Sequence, residues 1–264
     1  MLLRDILEKL SEGKISVDDA ERLLKTQAID EISDVARLDI NRESRKGIPE
    51  IILAEGKTPE DLVEISLKML AKGRAIISRA DWKQIETLKE AVEKDANLNI
   101  HDKAGIVVIR KKDFKTQMTG GRVGILAAGT ADIPVAEEAR IIAEEMGCEV
   151  LKAYDVGIAG IHRLFTPLKG MVEADVDVVV VVAGREGALP SVVSGLIDAP
   201  VVGVPTSVGY GFGDKGVAAL MAMLQACSLG MAVVNINGGV AAGVVAVLIA
   251  NRAAKFRKAN TQKQ

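Results

Sequence analysis

Aromatic side chains are scarce in this chain: one Trp, two Tyr and four Phe among 264 residues. So few rings do not supply the stacking platform on which single-stranded nucleic acid is held. An excess of either charge is also missing, because 34 Lys and Arg stand against 36 Asp and Glu, and no basic surface is offered to a phosphate backbone. Two cysteines, Cys148 and Cys227, make no disulfide framework and fall short of a structural zinc site. The opening Met1-Leu2-Leu3-Arg4-Asp5 lacks the basic start and apolar core of a signal segment. No apolar run reads as the roughly 18 residues that a membrane span requires. A cytoplasmic globular protein is therefore expected, with neither nucleic acid nor membrane as partner. What the chain has is apolar bulk: 48% of its residues are hydrophobic, enough to fill the core of one large domain or two small ones.

Charge is concentrated early, with 22 of the 34 basic and 23 of the 36 acidic residues before position 121. The breaker Thr119-Gly120-Gly121 follows the basic run Arg110-Lys111-Lys112, which predicts an accessory domain over residues 1–118 and a catalytic domain over 119–264. In the first part, Leu2, Leu3, Ile6, Leu7 and Leu10 have helical spacing, and Ser16-Val17-Asp18-Asp19 is suited to cap a second helix. Glu50 to Leu53 and Arg74 to Ser78 read as strands around a helix begun by Thr58-Pro59-Glu60, and Ile106 to Ile109 reads as another strand. This predicts a small mixed α/β domain. Its one histidine, His101, sits in a polar turn and reads as a surface residue.

The second part alternates β-branched runs with helical patterns: Val123 to Leu126, Cys148 to Ala153, Val176 to Val182, Val201 to Val204 and Ala232 to Ile236. Consecutive apolar residues mark strands covered on both faces, so the expected fold is α/β, a three-layer, doubly wound parallel sheet of flavodoxin-like type. In such sheets ligands bind beyond the carboxyl ends of the strands. Four loops there carry chemistry. The first, Ala127 to Pro134, includes Gly129, Thr130 and Asp132 before a helix pattern over Val135 to Met146, an arrangement suited to a phosphate. Asp132 serves equally well as a helix cap. The second, Tyr154 to Arg163, gathers a phenol, Asp155, His162 and Arg163, either for ligand contact or with Asp155 and Arg163 as a structural ion pair. The third, Ala183-Gly184-Arg185-Glu186-Gly187-Ala188-Leu189-Pro190, sets a charged pair in a glycine-flanked turn. The fourth, Pro205 to Gly216, holds Ser207, Tyr210 and Lys215 among glycines and reads as an anion loop or a flexible lid. A helix pattern over Val217 to Ala226 then leads to Cys227, whereas Cys148 opens a strand; most such cysteines are packing residues.

Taken together, these loops resemble the superfamily of aminoimidazole ribonucleotide carboxylases and mutases over roughly residues 121–256. Gly129 to Pro134 is similar to its nucleotide loop, and Ala183-Gly184 with Leu189-Pro190 to its Ala-Gly…His-Leu-Pro loop. That family carries its catalytic histidine just before Leu-Pro, where this chain has Ala188. The whole pattern resembles more fully the pyridinium-3,5-biscarboxylic acid mononucleotide synthase (LarB) family of nickel-pincer cofactor biosynthesis. The matching segments are Gly129 to Ala139, Asp155 to Arg163, Glu186 to Val193, Pro205 to Gly211 and Ala226-Cys227. Asn235-Ile236-Asn237-Gly238-Gly239 departs from an expected Asn-Ile-Asp-Asn-Gly.

The resemblance implies carboxylation of the pyridinium ring of nicotinic acid adenine dinucleotide by carbon dioxide, with phosphoanhydride hydrolysis that releases AMP. It implies Cys227 as a transient nucleophile and Glu186 as the base. Gly129, Thr130, Asp132, Asp155, His162, Arg163, Arg185, Ser207, Tyr210, Lys215 and Asn235 are the expected substrate contacts. Magnesium held by Asp132 or Asp155, with no organic cofactor, is the expected metal chemistry. The resemblance also suggests a homo-oligomer, an octamer. Because Cys227 follows a helix and precedes a parallel strand, it falls on the sheet edge opposite its own ligand loops, which predicts a site shared between subunits. The alternatives are a purine-type carboxylase or mutase and a non-catalytic nucleotide-binding protein.

Overall fold

The computed structural model describes residues 3–26, 30–32, 36–38, 42–92 and 96–261. The chain divides into two compact units, Met1–Ile100 with Ile106–Phe114 and His101–Gly105 with Lys115–Gln264.

The first unit opens with the expected helical pair, α1 (Leu3–Ser11) and α2 (Val17–Thr26). The Ser16 hydroxyl accepts the Asp19 N–H at 3.0 Å, which satisfies one of the free amides at the start of α2. A short antiparallel pair follows, β1 (Asp30–Ile32) with β2 (Ala36–Leu38), and then α3 (Arg42–Lys46). Next come β3 (Ile51–Leu53), α4 (Pro59–Leu70), β4 (Arg74–Ser78), α5 (Trp82–Ala91), β5 (Ala96–His101) and β6 (Ile106–Lys111). The four strands β3 to β6 form a mixed sheet in the order β3-β4-β6-β5, with β3 parallel and β6 antiparallel to β4. Helices α4 and α5 bury Leu62, Ile65, Met69 and Leu88 against Ile77, Val107 and Ile109. Thr58 caps α4 through the Asp61 N–H at 3.1 Å, and Pro59 fits its first turn because that position needs no amide donor. His101 ends β5.

The second unit strings β7 (Arg122–Ala127), α6 (Ile133–Glu145), β8 (Glu149–Tyr154), α7 (His162–Glu173), β9 (Val178–Ala183), α8 (Leu189–Ser194), β10 (Val201–Pro205), α9 (Val217–Leu224), β11 (Met231–Val233) and α10 (Gly239–Thr261). All five strands are parallel, in the order β11-β10-β9-β7-β8. This is the flavodoxin-like winding, in which the connection reverses direction between β7 and β9. Successive side chains of a strand point to opposite faces, and both faces here are apolar. Val179, Val181, Val201 and Leu126 pack with α7 and α8 through Leu164, Leu168, Leu189 and Val193. Helices α6 and α10 cover the other face, where Ala136, Ala139, Ala242 and Ala246 are fully buried. Three layers result.

Two expectations need correction. The last strand stops at Val233 rather than Ile236, because the Asn235 side chain accepts the Ile236 N–H at 2.9 Å and turns the chain out of the ladder. Helix α9 stops at Leu224 rather than Ala226. In addition, α10 is long and apolar enough by composition to span a membrane over Gly239–Ala259. Here Ala242, Ala246, Ala250 and Ala254, one per turn and all buried, let it lie close to α6, so this helix is part of the core.

Candidate active site

The crevice at the reversal point is lined by the loops after β7, β8 and β9. It encloses about 600 Å³ among Gly129, Thr130, Asp132, Asp155, Glu186 and Ala188. A second cleft of about 470 Å³ shares Arg185, Glu186 and Val208 with it and continues along Ser207 to Gly216. Loop geometry explains the closeness. A Cβ on Gly184 would stand 2.4 Å from the Val208 carbonyl oxygen and 2.6 Å from Thr206 Oγ1, so only glycine lets the β9 loop touch the β10 loop. Gly187 is held at φ +63°, and a Cβ there would meet the Ala219 backbone oxygen at 2.7 Å. These two contacts hold Arg185 and Glu186 out between the clefts, both exposed.

Asp132 ties the loops together. It is 4% exposed; Oδ1 accepts the Thr206 hydroxyl at 2.6 Å and Oδ2 accepts the Gly129 N–H at 2.9 Å, with a further backbone bond from Gly184. Burial raises its pKa above the ordinary aspartate value, while the three donors oppose that shift. Its side chain does not cap α6; a 3₁₀ turn over Thr130–Asp132 leads into that helix instead. Asp155, at φ +60°, is bonded to Arg163, which is the structural ion pair left open by the sequence. The Tyr154 hydroxyl is turned to Glu137, so the phenol does not join the ligand loop. His162 begins α7 as an exposed residue.

On the fourth loop, Arg185 lies 4.1 Å from the centroid of the Tyr210 ring. Ser207 is locked by Asn237, whose Oδ1 accepts the Ser207 N–H at 2.9 Å and whose Nδ2 donates to Ser207 Oγ at 2.8 Å. Lys215 lines the second cleft. Asn235 closes its own turn and lines neither cleft. Thr206 and Asn237 each fix a loop at the crevice, through bonds to partners 74 and 30 residues away that no local pattern marks.

The two residues expected to hold magnesium are both engaged with other groups of the chain. Both Asp132 oxygens are occupied by donors and Asp155 is paired with Arg163. Among the described residues no three His, Cys, Asp or Glu side chains converge on a cation site.

The cysteines differ sharply. Cys148 is 3% exposed, burial pushes its thiol up to about 11, and Sγ lies 3.4 Å from Asn251 Oδ1 as a donor. Cys227 is exposed, beyond the carboxyl end of α9, and lines neither cleft. The chain therefore gathers Gly129, Thr130, Asp132, Asp155, Arg185 and Glu186 around one crevice and leaves Cys227 outside it.

Residues 29–112 match the LarB/PurE-like N-terminal domain, and residues 122–264 match AIR carboxylase. An uncharacterized protein of Methanocaldococcus jannaschii is 46% identical, with 94% of this chain and 96% of that protein covered. N5-carboxyaminoimidazole ribonucleotide mutase of Thermotoga maritima is 31% identical over 48% of this chain and 74% of its own length. The mutase of Mycobacterium tuberculosis is 28% identical over 48% of this chain and 71% of its own.

Proposed function

With a LarB/PurE-like N-terminal domain ahead of an AIR carboxylase domain, this chain belongs to the LarB family within the AIR carboxylase superfamily, and from that premise we propose that it carboxylates the pyridinium ring of nicotinic acid adenine dinucleotide and hydrolyses the phosphoanhydride. The observation that carries the reading is the pair Glu186 and Ala188 on the crevice wall: a carboxylate is present, and the histidine expected of the purine enzymes is replaced by a methyl group. Purine chemistry acts on an electron-rich imidazole. A pyridinium ring is electron-poor, and its carbon 5 does not attack carbon dioxide until a nucleophile has added to the ring. Addition of a thiolate to a neighbouring carbon gives a neutral dihydropyridine whose enamine carbon forms the new C–C bond. Glu186 then takes the carbon 5 proton, the C–H electron pair returns to the ring, and the C–S bond breaks with its pair leaving on the thiolate, which restores the aromatic pyridinium. Water cleaves the phosphoanhydride to release AMP.

Cys227 is the proposed thiol, since Cys148 is buried with a raised pKa. It reaches the crevice of an adjacent subunit in a closed homo-oligomer. In support, α9 leaves Val217, Met221 and Leu224 exposed at helical spacing just before Cys227, and Leu229 beyond it is 90% exposed. Such an apolar stripe is the kind of surface that a partner covers.

The test is mass spectrometry of the full chain incubated with nicotinic acid adenine dinucleotide, labelled bicarbonate and magnesium. A labelled dicarboxylated pyridinium mononucleotide together with AMP is the expected result. An untouched dinucleotide with efficient turnover of an aminoimidazole ribonucleotide overturns the reading in favour of purine chemistry. Mixing Cys227→Ser with Glu186→Gln chains tests the shared site: mixed oligomers regain activity that neither variant has alone, whereas sites contained in single subunits gain nothing.

A further inference from the structure

The carboxylation step needs only the pyridinium ring, the thiol and a base, and it gives the second cleft no role. Yet that cleft opens from the first without a partition, because Arg185, Glu186 and Val208 line both. Each cleft, about 600 Å³ and about 470 Å³, has the size range of a single small-molecule site, so together they suit a ligand of two nucleoside-like halves. The rim of the second cleft is aromatic. Tyr210 is 82% exposed and Phe212 is fully exposed, two of only seven aromatic residues in the chain, on a loop with glycine at 209, 211 and 213. Exposed rings of this kind expose apolar area to water and are useful where something planar covers them. Tyr210 is also oriented, by the Arg185 guanidinium 4.1 Å from its ring centroid. That cation disfavours a second cation at the ring, so the pyridinium is a poor occupant of this cleft and a neutral base is a good one. Arg185, at the shared wall, and Lys215 carry positive charge where a phosphate linkage between the two halves would pass.

We propose that the second cleft is a subsite for the neutral purine-type base at the far end of the dinucleotide, with Tyr210 as its stacking surface and Arg185 as the residue that orients the ring and faces the phosphates. The inference rests on the dinucleotide reading and specifies which half lies where. Calorimetric titration of AMP into the full-length protein tests it. Tyr210→Ala weakens AMP binding roughly 5- to 100-fold, the range for loss of one base–aromatic stack, and Tyr210→Phe keeps affinity within about 2-fold. Sedimentation shows the same subunit count for both variants. Equal AMP affinity in Tyr210→Ala overturns the subsite, and so does a changed subunit count, which would make the loop a subunit contact. An enzyme that carboxylates the dinucleotide but binds AMP regardless of Tyr210 loses the subsite and keeps the reaction. One that binds AMP through Tyr210 and leaves the dinucleotide untouched keeps the subsite and loses the reaction.

Discussion

The two units place their polar side chains differently. In the first, the loops before α4 and α5 are tied to one another: Gln84, 4% exposed, donates to the Ala54 and Lys57 carbonyls at 2.9 Å each and accepts the Asp81 N–H, while Asp81 accepts the Gln84 N–H at 2.8 Å. Arg74, 7% exposed, is paired with Glu43 at 2.8 Å and packs over Phe114. In the second unit the loops after β7, β9 and β10 are stitched together underneath by Asp132 and Thr206, and they leave Arg185, Glu186 and Lys215 exposed around open clefts. Satisfied loops stabilise a fold, and charged groups held open at a rigid sheet edge are available to a ligand. Open clefts rimmed by charged loops at the carboxyl ends of parallel strands belong to the second unit.

Glu186→Gln is the strongest test of that division. Loss of a general base lowers turnover of the dinucleotide about 10²- to 10⁴-fold in steady-state assays, with an unchanged circular dichroism spectrum. Gln84→Ala is the matched change in the first unit. It lowers stability by about 1–3 kcal/mol in urea titration, because the Lys57 carbonyl and the Asp81 N–H lose their Gln84 partner, and leaves turnover within about 2-fold. A large loss of turnover in Gln84→Ala would break the comparison.

Gly184→Ala comes next. Its Cβ meets backbone and a buried hydroxyl, so the β9 and β10 loops must part. A cost of about 1–3 kcal/mol in denaturant midpoint and a raised KM are expected. Gly170→Ala, where no atom lies within 4 Å of the new Cβ, stabilises the same unit by about 0.5–1 kcal/mol.

Thr206→Val sharpens the role of Asp132. Removing the hydroxyl leaves a buried carboxylate oxygen short of its side-chain donor, at a cost of about 1–3 kcal/mol by urea unfolding, and Thr206→Ser restores the bond. Equal stability of the Val variant would show that Asp132 does not depend on this clasp.

The smallest effect is in acid. Burial opposes ionisation of Glu137, but bonds from Arg140, Tyr154 and Lys152 hold its carboxyl down to about 2 from the ordinary 4.5. A folded-state pKa below the unfolded one stabilises the protein above about pH 4.5, and that contribution is lost as pH falls toward about 2. The melting temperatures of the parent and Glu137→Gln therefore differ at pH 6, and the gap narrows below about pH 4.5 and closes toward pH 2. A gap that widens in acid would contradict the assignment.

Much of this was legible in the residues. Val178 to Val182, apolar at every position, reads as a strand buried on both faces, and β9 is such a strand. Thr58-Pro59 and Ser16 start helices because a cap and a proline solve the free-amide problem locally. The crevice was legible in part, since glycine-flanked charge after a strand marks a loop that must approach something closely, as Gly184 and Gly187 do. Tyr154 was read toward the ligand because its neighbours in sequence are polar, but its hydroxyl meets Glu137, 17 residues away on α6. Asp155 is bonded to Arg163, and local pattern left that pair undecided.

By itself the sequence determined the elements of the second unit, their alternation and the loops rich in glycine and charge, because periodicity, capping and turn chemistry act over a few residues. Tertiary structure decided the strand order that puts the β7 and β9 loops side by side, the bond between Thr206 and Asp132 across 74 residues, and the contrast between a buried Cys148 and an exposed Cys227. Those depend on which distant segments share a surface, and burial, which sets the cost of a charge or thiolate, exists only once the chain has packed.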